Sequence, residues 1–283
     1  MKNLIFIFCC LVSLNLNSQT NILNVKDPSL IGNKNSDQIQ SDEESPILKY
    51  DFIDDRDILW SKIVYEKIDL NEKLNFPLLF PIIDSEDKNR KSLWRIIKEN
   101  IENGKITETY DYADDGNFFD ENKINSLKER IKRYKEILGG EDEDPDALEE
   151  AKSIHIKEYW IKGIWYFDKR QSEMKYRLLG LMPYGKNFGE SESGDVGYFW
   201  IWYPSIREIL HKELVFNDKN PSNRISFDQL LISRRFNSYI YKEDNIYGNR
   251  KINDYKNKGL QSILESERIK KEILDFEQDM WNR

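Results

Sequence analysis

The sequence is poor in the side chains that most often catalyse reactions or bind transition metals. Its 283 residues include two histidines, His155 and His211, and two cysteines, Cys9 and Cys10. Histidine supplies most general acid–base catalysis, and a zinc site needs several histidine or cysteine ligands at close spacing. Neither histidine has a second such residue near it in sequence. We therefore expect a protein that is not an enzyme, with no catalytic residue, no cofactor and no metal centre.

Net positive charge and long hydrophobic runs are lacking as well. The formal net charge is −8, although charged residues make up 33% of the chain. An acidic protein gains no counterion release from a phosphate backbone, so nucleic acid is not an expected partner. No apolar segment after residue 18 approaches the roughly 20 residues that a membrane-spanning helix needs. We expect this part of the chain to be soluble or peripherally attached to a membrane.

Residues 1–18 have the order of a secretory signal peptide. Lys2 gives a positive start, an apolar run extends from Leu4 to Leu16, and the small residue Ser18 precedes a polar stretch. The run is too short for a transmembrane helix, and both cysteines lie inside it, which disfavours a lipoprotein signal. Cleavage after Ser18 removes both cysteines. The mature chain is then predicted to form neither a disulfide nor a thiolate metal site.

Composition divides the rest of the chain into a polar segment and a core-forming segment. Residues 19–49 are rich in Asn, Ser, Asp and Glu, and we interpret them as an extended or disordered linker. Residues 50–283 contain the apolar and aromatic side chains of a core, interrupted by an acidic loop at 139–150. We expect an α+β fold in which helices pack around a small antiparallel β-sheet, with an extended N-terminal arm.

Hydrophobic periodicity predicts the elements of this domain. Helical spacing favours helices at 91–102, 121–138, 205–213 and 260–281, one that opens at Ser226, and another around Trp60, Val64 and Ile68. Alternation and continuous apolar runs favour strands at 106–112, 159–167, 175–182 and 198–203. Pro77 and Pro81 frame an apolar stretch through which a helix is not expected to continue.

Residues 111–122 resemble a calcium-binding loop in part. Asp111, Asp115 and Gly116 fit the first, fifth and sixth positions of a twelve-residue EF-hand loop. Ala113 at the third position and Asn122 at the twelfth do not fit, and the twelfth position normally supplies a bidentate carboxylate. We interpret the segment as a solvated acidic turn before a helix, with calcium binding as the alternative.

Several segments, in order along the chain, resemble the GldN/PorN family. They are the stretch 55–81 with Trp60, Pro77 and Pro81, the run 199–204 with Arg207, Phe216-Asn217 with Asn220, Phe227-Asp228 leading to 235–238, and 264–270 with 279–281. Each motif is modest alone, but together they are fairly specific. On this resemblance residues 50–283 form a GldN-like α+β domain.

The resemblance implies a non-enzymatic structural subunit of the type IX secretion and gliding-motility apparatus. Family members associate with an outer-membrane lipoprotein of the GldK/PorK type to build a ring, and inner-membrane motor proteins of the GldL/GldM type engage that ring. We therefore expect a periplasmic protein that is peripherally associated with the outer membrane and self-associates within a ring.

Two segments are candidates for partner binding, because large aromatic residues dominate interfaces when they are exposed. One is the apolar stretch between the prolines and the other is the last helix, with the candidate residues Leu78, Leu79, Phe80, Ile273, Phe276 and Trp281. A secreted polysaccharide- or peptide-binding module is the alternative function, suggested by the aromatic strands 159–167 and 198–203. It requires a row of exposed rings on one sheet face. A hydrolase would require a cleft in which two carboxylates, or His211 and a carboxylate, converge.

Overall fold

The computed structural model describes residues 47–83, 90–137, 148–187, 194–215, 225–246, 248–256 and 259–281. The expected signal peptide, the linker as far as residue 46 and residues 139–147 of the acidic loop lie outside these ranges, as do Phe216, Asn217 and Asn220. Residues 47–49 form neither helix nor strand, and the carbonyl of Leu48 accepts a hydrogen bond from Arg207.

Seven strands of the described chain form one antiparallel sheet. Its order is β11 (Tyr239–Glu243), β1 (Ile58–Asp69), β5 (Ile156–Asp168), β6 (Glu173–Lys186), β8 (Phe199–Trp202) and β2 (Thr109–Asp111), with β7 (Asp195–Gly197) paired to the end of β6. Two short ladders pair β3 (Lys135–Ile137) with β4 (Leu148–Glu150) and β9 (Leu214–Val215) with β10 (Ile225–Ser226). The α+β class is confirmed, but the sheet is larger than the small one expected.

The helices are α1 (Phe76–Leu79), α2 (Leu93–Glu102), α3 (Leu127–Lys132), α4 (Tyr203–Lys212), α5 (Phe227–Ile232), α6 (Ile252–Tyr255) and α7 (Leu260–Trp281). The expected helices α2, α4, α5 and α7 are confirmed. Ser92 and Ser226 cap α2 and α5, since each hydroxyl accepts a hydrogen bond from a backbone N–H of the first turn. Within the described ranges, no helix is long and apolar enough to span a membrane.

The helix expected around Trp60, Val64 and Ile68 is wrong, because these residues belong to β1. Residues four apart share one face of a helix, but they also share one face of a strand, whose side chains alternate with a period of two. The β-branched and aromatic residues of the segment favour a strand. Pairing with β5 on one side and β11 on the other places β1 inside the sheet.

The helix expected at 121–138 is much shorter in the structure, where only α3 is helical. Tyr134 is fully buried and packs edge-to-face against Trp94, and its carbonyl accepts a hydrogen bond from Ala151 N at 2.8 Å. This contact draws the following residues into the β3–β4 ladder. Residues 148–150, expected to close the acidic loop, are therefore a strand. The strand expected at 106–112 shortens to β2.

The main core lies between one face of the sheet and helices α2, α4 and α5. It combines aliphatic and aromatic side chains that are almost completely buried, among them Ile68, Tyr159, Ile161, Leu181, Phe199 and Ile201 from strands and Trp94, Ile97, Leu210 and Leu231 from helices. A second cluster, formed by Val64, Ile240, Ile252, Ile269 and Ile273, holds α7. A third cluster on the opposite sheet face is rich in aromatic residues.

Candidate partner-docking surface

The apolar stretch between the two prolines forms the short helix α1. Pro77 does not break this helix, because it lies in the first turn, where a missing N–H costs no hydrogen bond. The helix ends at Phe80, whose N–H donates to the carbonyl of Phe76 at 3.0 Å. Leu78 is completely buried in the main core, Leu79 is half-buried and Phe80 is exposed.

Asn75 fixes the position of α1. Its side chain is buried, and Nδ2 donates to the carbonyls of Asp69 at 2.7 Å and Asn237 at 3.0 Å. Oδ1 accepts from the backbone N–H of Asn237 at 2.8 Å. The amide thus connects the end of β1 to the residues before β11. Because these hydrogen bonds come from a buried side chain and join two separate segments, they fix the position of α1.

Phe76 and Phe80 of α1, with Leu74 and Ile83 on either side of them in sequence, are exposed apolar residues and are together called the α1 patch. These side chains are between 37% and 58% exposed. The rings of Phe76 and Phe80 meet edge-to-face with their centroids 5.3 Å apart. Single exposed apolar residues are ordinary on protein surfaces, but an aromatic pair with aliphatic neighbours on a rigid element is typical of docking sites.

Sequence reasoning found one residue of this patch, Phe80, and missed the other three. The spacing of Phe76 and Phe80 was the available signal, since residues four apart on a helix lie side by side. The same reasoning placed Leu78 in the candidate surface, and burial assigns it to the core instead. Because a helix is not expected between the two prolines from the sequence, the stretch could not be divided there into an inner and an outer face.

The candidate residues of α7 separate in the same way. Ile273 is buried in the second cluster, whereas Phe276 is half-buried and stacks on Trp60 with ring centroids 4.9 Å apart. The side chain of Trp281 lies outside the described residues. Leu260, Ile263 and Leu264, in the first turns of α7, are exposed. Burial removes Leu78 and Ile273 from a docking surface, and binding by the remaining candidates stays a prediction.

The calcium-like segment 111–122 is a loop closed by its own hydrogen bonds. The buried carboxylate of Asp114 accepts from Phe118 N and Phe119 N and from Asn122 Nδ2. Asp111 accepts from Ala113 N and pairs with Arg133, and Asp115 pairs with Lys242. No group of three potential metal-ligating side chains occurs among the described residues. The geometry gives calcium binding no support.

The two histidines lie in structural surroundings. His211 is buried, with Nδ1 3.5 Å from Ser226 Oγ, but this hydroxyl is itself buried and caps α5. His155 Nδ1 accepts from Lys152 N at 3.1 Å. Near His211 in sequence, Arg207 and Tyr203 both donate to the buried carboxylate of Asp228. Burial raises the pKa of the Tyr203 hydroxyl well above its ordinary value, so Tyr203 remains a hydrogen-bond donor to Asp228 and this cluster serves the fold.

The aromatic strands do not display the row of exposed rings that a polysaccharide-binding face would need. Tyr159, Phe199 and Trp200 are buried. Trp160 is half-buried, with Tyr184 stacked on it at 4.8 Å and the ammonium of Lys67 4.1 Å from its ring centroid. Burial lowers the pKa of Lys67, and the positive charge of Lys251 lowers it further, whereas Glu158, at 3.7 Å, opposes this shift. These rings serve packing, and the binding-module alternative loses its main support.

The chain was compared with curated proteins and with protein-family models. The search of curated proteins finds no match. The family model described as "Gliding motility associated protein GldN" matches residues 53–282, a range that includes both α1 and α7. Because this match spans most of the chain, the protein belongs to the GldN family of gliding motility associated proteins.

Proposed function

We propose that this chain is a non-enzymatic structural subunit of the type IX secretion and gliding-motility apparatus. Family membership supports a part in gliding motility. The α1 patch carries the proposal further, because a rigid apolar surface of this kind suits a lasting assembly contact, and obligate interfaces are more apolar than transient ones.

In this proposal the signal peptide directs the chain to the periplasm, where it lies against the outer membrane. It forms a ring with an outer-membrane lipoprotein of the GldK/PorK type, and the α1 patch is the contact with that lipoprotein. Inner-membrane motor proteins of the GldL/GldM type engage the ring from the other side. The sequence of residues 1–18 and the family resemblance support this location.

The edges of the sheet favour contacts through side chains. At the β11 edge, Ile240 N already donates to Ser266 Oγ of α7 at 2.8 Å. At the β2 edge, the carbonyl of Thr109 accepts from Ile124 N at 2.8 Å. A partner that adds a strand needs unpaired backbone groups at an edge, and these two groups already have partners. An apolar surface such as the α1 patch remains open to a partner.

The test is capture of the lipoprotein from detergent-solubilised envelope by the tagged mature protein, followed by mass spectrometry. We expect the wild-type chain to recover the lipoprotein in particles far larger than a monomer. Phe80→Asp places a charge inside the apolar contact, where its desolvation is unfavourable, and is expected to reduce capture by at least about tenfold.

Phe119→Asp is the matched control, since Phe119 is another exposed phenylalanine, on the loop 111–122. It is expected to leave capture unchanged, and circular dichroism should show both variants folded. Capture by Phe80→Asp at the wild-type level would remove the α1 patch from the contact. Recovery of the wild-type chain as a lone monomer would overturn the assembly function itself.

A further inference from the structure

A groove runs along α7 on the side that faces the beginning of β1. It has a volume of about 500 Å³ and is lined by Trp60 and, from α7, Arg268, Lys271, Glu272, Asp275, Phe276 and Asp279. The stacked rings of Trp60 and Phe276, inclined by 20°, supply its apolar part. Leu274, which is more than half exposed, adds an apolar side chain on the neighbouring face of the helix.

Charge changes sign halfway along this groove. Arg268 and Lys271 come first, and Glu272, Asp275 and Asp279 follow. Glu272 is already paired within the chain, with Lys62 at 2.9 Å and Arg268 at 3.0 Å. A carboxylate in the last turn of a helix is unfavourable with respect to the helix dipole, so the stability of α7 does not explain Asp279. Lys271, Asp275 and Asp279 are exposed and form no ion pair within the described part of the chain. A partner of complementary charge would account for them.

We propose that the groove is the contact between two copies of this chain, whose α7 helices pack antiparallel about a two-fold axis level with Ile273. Lys271 of each copy then faces Asp275 of the other. Arg268, which also pairs with Glu265 and Glu272 of its own helix, lies level with Asp279 of the other copy. Both pairs lie at nearly equal distances from the same point of the helix, so one axis satisfies them together. A two-fold contact requires such self-complementarity, because the same surface meets itself.

The order of charges favours a second copy over other occupants. A uniformly acidic or basic peptide would satisfy one half of the groove and be repelled by the other half. Parallel packing of two α7 helices would place like charges opposite each other. The contact goes beyond the proposed function, since it involves neither the lipoprotein nor the α1 patch.

Sedimentation velocity of the mature full-length protein tests this contact. The protein concentration should be on the order of micromolar, because a small interface of this kind supports a modest affinity. The wild-type chain is expected to dimerise, and added salt is expected to weaken the dimer. Lys271→Asp and Asp275→Lys each create two repulsive pairs per dimer. Each single variant is expected to weaken dimerisation by at least about tenfold.

Mixing the two single variants is the decisive step. In the mixed dimer, Asp at position 271 of one copy faces Lys at position 275 of the other, and the second pair is attractive as well. We expect a heterodimer from two variants that are monomeric alone. The double variant Lys271→Asp/Asp275→Lys restores both pairs within one chain and is expected to dimerise like the wild type.

Each single variant also places like charges four residues apart on α7, which costs an isolated helix a few tenths of a kcal/mol. Circular dichroism therefore has to show that α7 stays folded. Lys128→Asp on the exposed face of α3 is the charge-matched control and should leave the dimer unchanged. A wild-type chain that is monomeric throughout, or single variants that dimerise normally, would overturn the proposal. Monomers that bind a charged peptide would assign the groove to another partner and overturn it too.

Discussion

Helices α1 and α7 both adjoin β1, α1 through Asn75 at the end of the strand and α7 through Lys62 near its beginning, but different interactions hold them. α1 is fixed by the uncharged amide of Asn75 and by one buried side chain, Leu78. α7 rests on the apolar cluster around Ile269 and Ile273 and is flanked by ion pairs. Lys62 of β1 lies 2.9 Å from Glu272, and Arg268 lies 2.9 Å from Glu265.

The exposed surfaces of the two helices differ in polarity, as do the interactions that hold the helices. The α1 patch is apolar, so salt and pH act weakly on what it binds. The α7 groove is charged, so its contact is sensitive to both. The two elements nevertheless meet at one segment, since Asn75 bonds to Asn237 and Lys270 Nζ donates to the carbonyl of Ser238 at 2.8 Å. Neighbouring elements of one fold thus offer contacts of different chemistry.

The largest effect is expected at the inner face of α7. Ile273→Ala removes a buried side chain and leaves a cavity between α7 and the sheet, which is expected to lower the free energy of unfolding by about 3 kcal/mol. Urea denaturation followed by circular dichroism measures this loss. Leu274→Ala, next to it but exposed, is the control and is expected to change stability by less than about 0.5 kcal/mol. Equal losses would mean that the inner face does not anchor α7.

Asn75→Ala tests the anchor of α1 and is expected to lower the free energy of unfolding by about 2 kcal/mol. The reason is that three partly buried hydrogen bonds to the backbone of Asp69 and Asn237 are lost, and each such bond contributes about 1 kcal/mol. Asn71→Ala is the control, because Asn71 is exposed and, among the residues that the structure describes, bonds to the Asp69 carboxylate alone. If both variants unfold at the same urea concentration, Leu78 alone holds α1.

Local signals explain which elements could be predicted from the sequence. α2 and α5 begin at capping serines, and α7 has a long helical pattern, so each carries its information within its own residues. The prediction for β1 was wrong because the spacing of Trp60, Val64 and Ile68 fits both the helical and the strand period. Pairing with the two neighbouring strands decides between the two structures. The prediction of a helix as far as residue 138 was wrong because Tyr134 packs against Trp94, a residue that is distant in sequence.

The docking surfaces depended on these same elements. Phe80 was predicted from its place between two prolines, whereas Phe76 required the knowledge that α1 is a helix. The α7 groove could not be predicted, because one wall is Trp60 and this residue was assigned to a helix. Which side of α7 is buried also depends on β11, through contacts such as Ile240 N with Ser266. Sequence alone therefore located the α7 segment but not its exposed face.

Acid is expected to weaken the interactions that hold α7 but not those that hold α1. This is the smallest of the predicted effects on stability. Burial alone would raise the pKa of Glu272, but hydrogen bonds from Lys62 and Arg268 outweigh it, and the pKa lies below the ordinary value of 4.5. Burial would also raise the pKa of Glu265, but Arg268 and Lys256 outweigh this effect, so the pKa of Glu265 is lowered as well. Carboxyls of this kind stabilise the fold above the unfolded pKa, and the contribution is lost as the pH falls through the folded pKa.

Hydrogen exchange, corrected for the intrinsic effect of pH, measures the difference between the helices. As the pH falls from neutral to below 4.5, protection of α7 is expected to decrease, while the amides of Phe80 and Asn237 keep theirs, because the amide of Asn75 does not titrate. The loss is small, since partly exposed ion pairs contribute less than about 1 kcal/mol each. In Glu272→Gln, which cannot titrate, the pH dependence of α7 should flatten. A parallel loss at both helices would show that acid unfolds the protein globally and that the two anchors do not differ.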